Sequence, residues 1–240
     1  MKFLLCVFFL PVVTSLRLTP RENRELRKTC GRHYLRPDSF GDFRFKSYKG
    51  RRVRPTEYPW LVTVLSYDDN GDGMWCSGVA ISNRHILTAA HCIVNATRFV
   101  TLKTTEECQG HRTMREQTWI KDRRECPEPN EEDRCDKHAA KVRTVHPGFN
   151  KCTNENDLAV LEMSSDVSRN HLVPICMPRP WEKLAGVLQA AGSGSIQPPQ
   201  RGKKSDGYNA GDSGGPLFQS DAHDIHTLVG ILSSSNGCNG

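Results

Sequence analysis

Three short segments carry the residue types from which nucleophilic catalysis is built. They are His91 in LTAAHC (residues 87–92), Asp157 in NDLAVL (156–161) and Ser213 in GDSGGPL (211–217). A serine hydroxyl is a poor nucleophile at neutral pH and needs a base beside it, which an imidazole can be. Alone, a histidine is more often structural and a glycine-rich turn more often only a turn. The weight lies in the three together, in the order His, Asp, Ser.

In that order the segments resemble the trypsin/chymotrypsin family of serine peptidases. The resemblance implies a division of labour. His91 takes the Ser213 proton and returns it to the leaving amine, and Asp157 holds the imidazole in the correct tautomer. The backbone N–H groups of Gly211 and Ser213 face the oxyanion. It also implies a Cys76–Cys92 disulfide beside the histidine and a Cys30–Cys176 disulfide tying a pro-segment to the connection between two barrels. Residues 18–31 resemble the opening of a nematode-specific branch of the family. Residues 230–238 resemble the substrate-lining strand and the turn after it. Within them Ser233 matches the serine that supports the triad aspartate, and Ser234 and Ser235 stand where a tryptophan and a glycine are usual. The pocket-base position falls at Gly207, with Asp206 beside it; an aspartate in the pocket would direct cleavage after Arg or Lys. Activation by a protease is expected after Lys46, the new Ser47 amine pairing with Asp212.

The intervals depart from the family. His91 to Asp157 is longer than the template's about 45 positions, and Asp157 to Ser213 is about three dozen shorter than its about 93. The shortfall lies between Ser195 and Gly211. The expected fold is all-β, a two-barrel architecture in which the second barrel lacks strands and the C-terminal helix, about three of its six strands being recognisable. Cys238 matches a cysteine whose partner position is held by Asn209, so it is the expected odd thiol. The leading expectation is an exported serine endopeptidase working through an acyl-enzyme. The competing readings are an inactive homologue that binds a partner, and a gene model that has lost coding segments.

The elements that must hold these residues read as short strands punctuated by turns, the pattern of a barrel or sandwich. Residues 60–65, 75–81, 86–90, 99–103 and 141–145 are the strand candidates, with a turn over 68–73. Thr19, Pro20 and Glu22 predict a capped helix over 18–26. Residues 106–137 read as a charged insertion stapled by disulfides. Cys108, Cys126, Cys135 and Cys152 allow three pairings, all left open. Zinc on Cys135 and His138 is the sharper alternative, disfavoured in an oxidising compartment. The expected chemistry requires no metal or organic cofactor.

Compartment follows from the N-terminus. Met1-Lys2, an apolar run over 3–13, and small residues at Val13 and Ser15 predict a secretory signal cut after Ser15. That run is too short to span a bilayer, so an extracellular, membrane-free protein is expected. Its parts are a signal at 1–15, a pro-segment at 16–46 and a peptidase domain at 47–240. Of ten cysteines, Cys6 leaves with the signal, which makes the remaining number odd. Asn95-Ala96-Thr97 is a glycosylation sequon. The net charge of +6 is concentrated before Pro55. Without a nucleic-acid motif it reads as a solvated segment and predicts no nucleic-acid partner. The expected partners are protein or peptide substrates, an activating protease and inhibitors, acting on a monomer.

Overall fold

The computed structural model describes residues 17–32, 57–95, 114–122, 137–169, 172–193 and 211–233. Among the described residues there is one α-helix and nine strands. Strands β1 (Leu61–Tyr67), β2 (Gly73–Ala80), β3 (His85–Thr88), β4 (Gln117–Asp122), β5 (Lys137–Val145) and β6 (Ala159–Met163) form a closed barrel in the order β1-β2-β3-β6-β5-β4. Strands β7 (Gln189–Ala190), β8 (Pro216–Ser220) and β9 (His226–Ile231) form a separate three-stranded antiparallel sheet. Among the described residues the fold is therefore mostly β, with one closed barrel and a separate three-stranded sheet.

Local chemistry accounts for the elements. The β1–β2 hairpin runs from Leu61↔Val79 to Tyr67↔Gly73. It turns on Asp68, whose Oδ1 accepts the N–H groups of Asn70 and Asp72 at 3.0 and 2.9 Å, the side-chain device that makes aspartate a turn former. Strand β1 extends two residues beyond its apolar run because Ser66 and Tyr67 still find partners on both neighbouring strands. The strand expected at 99–103 lies outside the described residues.

One aromatic cluster joins the barrel to the three-stranded sheet. Trp60, at the start of β1, packs edge-on to Phe218 of β8 at 5.7 Å and lies 4.9 Å from the His226 ring of β9. Tyr58 meets Phe218 at 5.0 Å. Trp60 and Phe218 are fully buried. Such offset and edge-to-face pairs add to the burial of apolar area. This contact decides where β8, and with it Ser213 just upstream, sits relative to the barrel.

Helix α1 (Pro20–Thr29) is closed by a reciprocal cap. Thr19 Oγ1 accepts the Glu22 N–H at 3.2 Å, and the Thr19 N–H donates to Glu22 Oε2 at 2.6 Å. The helix is anchored to the body. Arg84 donates to Glu22 Oε1 and to Asp166 Oδ1, both at 3.0 Å. The hydrogen bond from Arg84, with those from Thr19, holds the Glu22 carboxyl down to about 2. Beyond the helix Cys30 is bonded to Cys176, and Gly31 is clasped by the Pro174 carbonyl and the His226 N–H at 2.8 and 3.0 Å.

Gly31 lies at φ +67°, and a Cβ there would collide with the His226 carbonyl. Gly31→Ala is therefore expected to cost about 2 kcal/mol, lowering Tm by roughly 4–8 °C. Calorimetry of the two proteins side by side checks this; an unchanged Tm would show that the clasp carries no stability. No helix among the described residues is long and apolar enough to cross a membrane.

Candidate active site

His91 stands on a 3-10 turn, Ala90–Cys92, at the end of β3. Cys92 is bonded to Cys76 of β2, which pins the turn to the barrel wall beside the histidine. Asp157 lies two residues before β6, the strand paired with β3 from His85↔Glu162 to Thr88↔Ala159. That register brings the two turns together at one end of the barrel.

The result is a close contact between residues far apart in the chain. His91 Nδ1 lies 2.6 Å from Asp157 Oδ2, and the His91 backbone N–H donates to Asp157 Oδ1 at 2.8 Å. Ser233 Oγ donates to the same Oδ2 at 2.5 Å. An ionised carboxylate can only accept, so Nδ1 carries the ring proton and Nε2 is the basic nitrogen of the neutral ring. Burial is the largest influence on Asp157 and opposes its charge. The hydrogen bonds and charge of His91 and the bond from Ser233 outweigh it, so the carboxyl sits below its usual value.

Ser213 occupies the turn that leads into β8. Its hydroxyl donates to the Ser233 carbonyl at 3.0 Å; no hydrogen bond joins it to the His91 ring among the described residues. The two are nonetheless neighbours across one sulfur. His91 Nε2 and the Ser213 carbonyl lie 3.7 and 3.9 Å from Cys92 Sγ. Catalytic hydrogen bonds are commonly long or misaligned without substrate and tighten when it binds. In the resting arrangement the hydroxyl is committed to the Ser233 carbonyl.

The turn around Ser213 is held from behind. The Ser213 carbonyl accepts the Ser77 N–H at 2.8 Å, and the Gly214 N–H donates to the Leu232 carbonyl at 2.6 Å. Gly214 has φ +81° and leaves no room for a Cβ, which would meet Thr88 Oγ1 and the Ser77 carbonyl. Gly211 lies at φ +128°, a backbone state open to glycine. The Asp212 carboxylate packs against Gly192, where a Cβ would strike Oδ1.

The structure thus brings His91, Asp157, Ser213 and Ser233 together, with Gly211 and Asp212 beside them. Lys46, Ser47, Gly207, Ser234 and Ser235 lie outside the described residues, as do Cys108, Cys126, Cys135 and Cys238. Cys152 is disulfide-bonded. Asn95 follows the histidine turn and is partly exposed; Ala96 and Thr97 lie outside the described residues. Cys76, His91 and Cys92 cluster within 4.8 Å, but both sulfurs are committed to the disulfide and offer no thiolate to a metal. Sequence reasoning missed Ser77 and Thr88, whose hydrogen bonds, with that of Ser193, back the nucleophile turn. Serines and threonines buried in a barrel look like any others until the neighbouring chain is in place.

Comparison with known proteins gives a concordant picture. The family model described as Trypsin matches residues 47–207 and 196–240. Phenoloxidase-activating factor 3 of Holotrichia diomphalia is 29% identical over 167 residues, covering 64% of this chain and 44% of that protein. Serine protease 7 of Drosophila melanogaster is 28% identical, covering 62% and 37% respectively. Vitamin K-dependent protein C of Rattus norvegicus is 28% identical, covering 61% and 27%. The chain spans less than half the length of each of these relatives.

Proposed function

The chain belongs to the trypsin family of serine peptidases, and from that premise we propose that it is an exported endopeptidase that hydrolyses protein substrates through an acyl-enzyme. The observation that carries this reading is Asp157 receiving three hydrogen bonds, from the His91 ring, the His91 backbone and Ser233. That arrangement fixes Nε2 as the base and points it away from the carboxylate, the orientation a neighbouring hydroxyl requires.

In this mechanism Ser213 Oγ leaves the Ser233 carbonyl, gives its proton to His91 Nε2 and attacks the scissile carbonyl. The Gly211 and Ser213 N–H groups receive the oxyanion. His91 then protonates the leaving amine, and water repeats the sequence on the acyl-enzyme. Asp157 stabilises the imidazolium without taking its proton. The remaining parts of the reading are a signal at 1–15, a pro-segment at 16–46 retained by Cys30–Cys176, and a domain at 47–240. Cleavage after Lys46 releases Ser47 to pair with Asp212. Gly207, Ser233, Ser234 and Ser235 line the substrate side, and Asn95 carries a glycan. The molecule works outside the cell on protein or peptide substrates, without metal, nucleic acid or membrane, as a monomer answering to an activating protease and inhibitors.

A second reading has its own support: the resting Ser213 hydroxyl donates to the Ser233 carbonyl and not to the His91 ring. This favours a peptidase-derived binding protein. Pre-steady-state hydrolysis of a p-nitrophenyl ester by the trypsin-treated protein separates the two. A burst approaching one nitrophenol per chain is the mark of an acyl-enzyme. A folded protein with no burst would support the binding reading.

A further inference from the structure

Ser77, on β2, is fully buried and directs its polar atoms at the segments flanking the nucleophile. Its Oγ accepts the Ser193 N–H at 2.7 Å and donates to the Gly211 carbonyl. Its backbone N–H donates to the Ser213 carbonyl at 2.8 Å. Its own carbonyl accepts the Thr88 hydroxyl, also at 2.8 Å. One hydroxyl has one hydrogen to give and lone pairs to receive, so both side-chain bonds are within its capacity. Ser193 is tied further back, sharing a 3.1 Å hydrogen bond between its hydroxyl and that of Thr63 on β1.

The consequence is mechanical. Gly211 and Ser213 are the residues whose N–H groups must point at one oxyanion. Gly211 is a glycine at φ +128° and has little conformational preference of its own to hold that direction. Ser77 grips the carbonyl of each, one with its side chain and one with its backbone, from a strand paired on one side with β1 and on the other with β3. We infer that Ser77 is the positioning residue of the oxyanion-binding turn, clamping Gly211 and Ser213 to the closed barrel; this rests on the peptidase reading. The clamp comes from the closed barrel, so the aim of the two N–H groups depends on β2 as well as on the Gly214–Leu232 bond beside β9.

Ser77→Ala keeps the Cβ and removes both side-chain bonds. It is expected to lower kcat on a peptidyl ester by about 10²-fold, the scale of a misplaced oxyanion donor, with KM changed by less than about threefold. Affinity for a peptide boronate, which mimics the tetrahedral state, should fall in parallel. Affinity for the peptide acid product should not. Ser77→Cys, a similar shape with a weaker donor, is expected to fall between the two proteins. It carries the test if Ser77→Ala does not fold. Unchanged kcat in a folded variant, or a loss confined to KM with boronate affinity intact, overturns the inference alone. A wild type that neither turns over ester nor binds boronate overturns the peptidase reading and this inference with it.

Discussion

In the His91→Ala variant, hydrolysis of a peptidyl ester falls by about 10⁶-fold in kcat, while KM moves little. The size follows from what the side chain does. In the proposed mechanism His91 Nε2 is the base for Ser213, with Nδ1 occupied by Asp157 at 2.6 Å. Without it the hydroxyl keeps its proton and its contact with the Ser233 carbonyl. Residual turnover would come only from the oxyanion donors and substrate binding, which together retain about 10³–10⁴ over water. Stability should also fall, because the buried Asp157 carboxylate loses the ring hydrogen bond that offsets its burial, while the Cys76–Cys92 disulfide still fixes the turn. Stopped-flow rates below the unfolding range and a Tm for each protein check both statements. A loss below about tenfold would mean that another group deprotonates Ser213 or that the nucleophile lies elsewhere.

Asp157→Asn is expected to cost about 10⁴ in kcat, the scale this constellation shows when the tautomer is wrong. The geometry predicts how. The His91 backbone N–H donates to Oδ1 at 2.8 Å and will hold the amide oxygen there, leaving the amide NH₂ against the ring. A donor facing Nδ1 forces the ring proton onto Nε2, which can then no longer accept from Ser213. The Ser233 hydroxyl, which gives to Oδ2 at 2.5 Å, loses its acceptor as well. The acid limb also has a sign. Asp157 titrates below its ordinary value when folded, so the stability it contributes is complete above the ordinary carboxylate range. It is lost only as pH falls through the lowered value. Acid unfolding followed by circular dichroism should therefore begin at higher pH in Asp157→Asn than in the parent. Coincident acid curves would show that the carboxylate contributes no charge-dependent stability.

The contrast between sequence and structure is instructive at particular residues. Thr19, Pro20 and Glu22 announce a helix start because the capping box is local, and the helix is there, running on to Thr29. Asp68 and the glycines after it announce a hairpin for the same reason. Short strands and turns point to a barrel or sandwich, and the resemblance narrows that to two barrels; among the described residues there are one closed barrel and a three-stranded sheet. The pairing of β3 with β6, which carries His91 to Asp157, is invisible in either segment alone. So is the hold of Ser77 on the Gly211 turn, since a buried serine beside Cys76 advertises nothing until residues 116 and 134 positions away fold against it. The resting contact of the Ser213 hydroxyl with the Ser233 carbonyl likewise has no sequence signature.

The most direct test of the account is covalent capture of the nucleophile. After trypsin treatment, the purified protein is exposed to a fluorophosphonate and the adduct located by peptide mass spectrometry. One adduct per chain on Ser213 is predicted, absent from Ser213→Ala and strongly slowed in His91→Ala. A folded, unlabelled protein, or an adduct on any other residue, would contradict it.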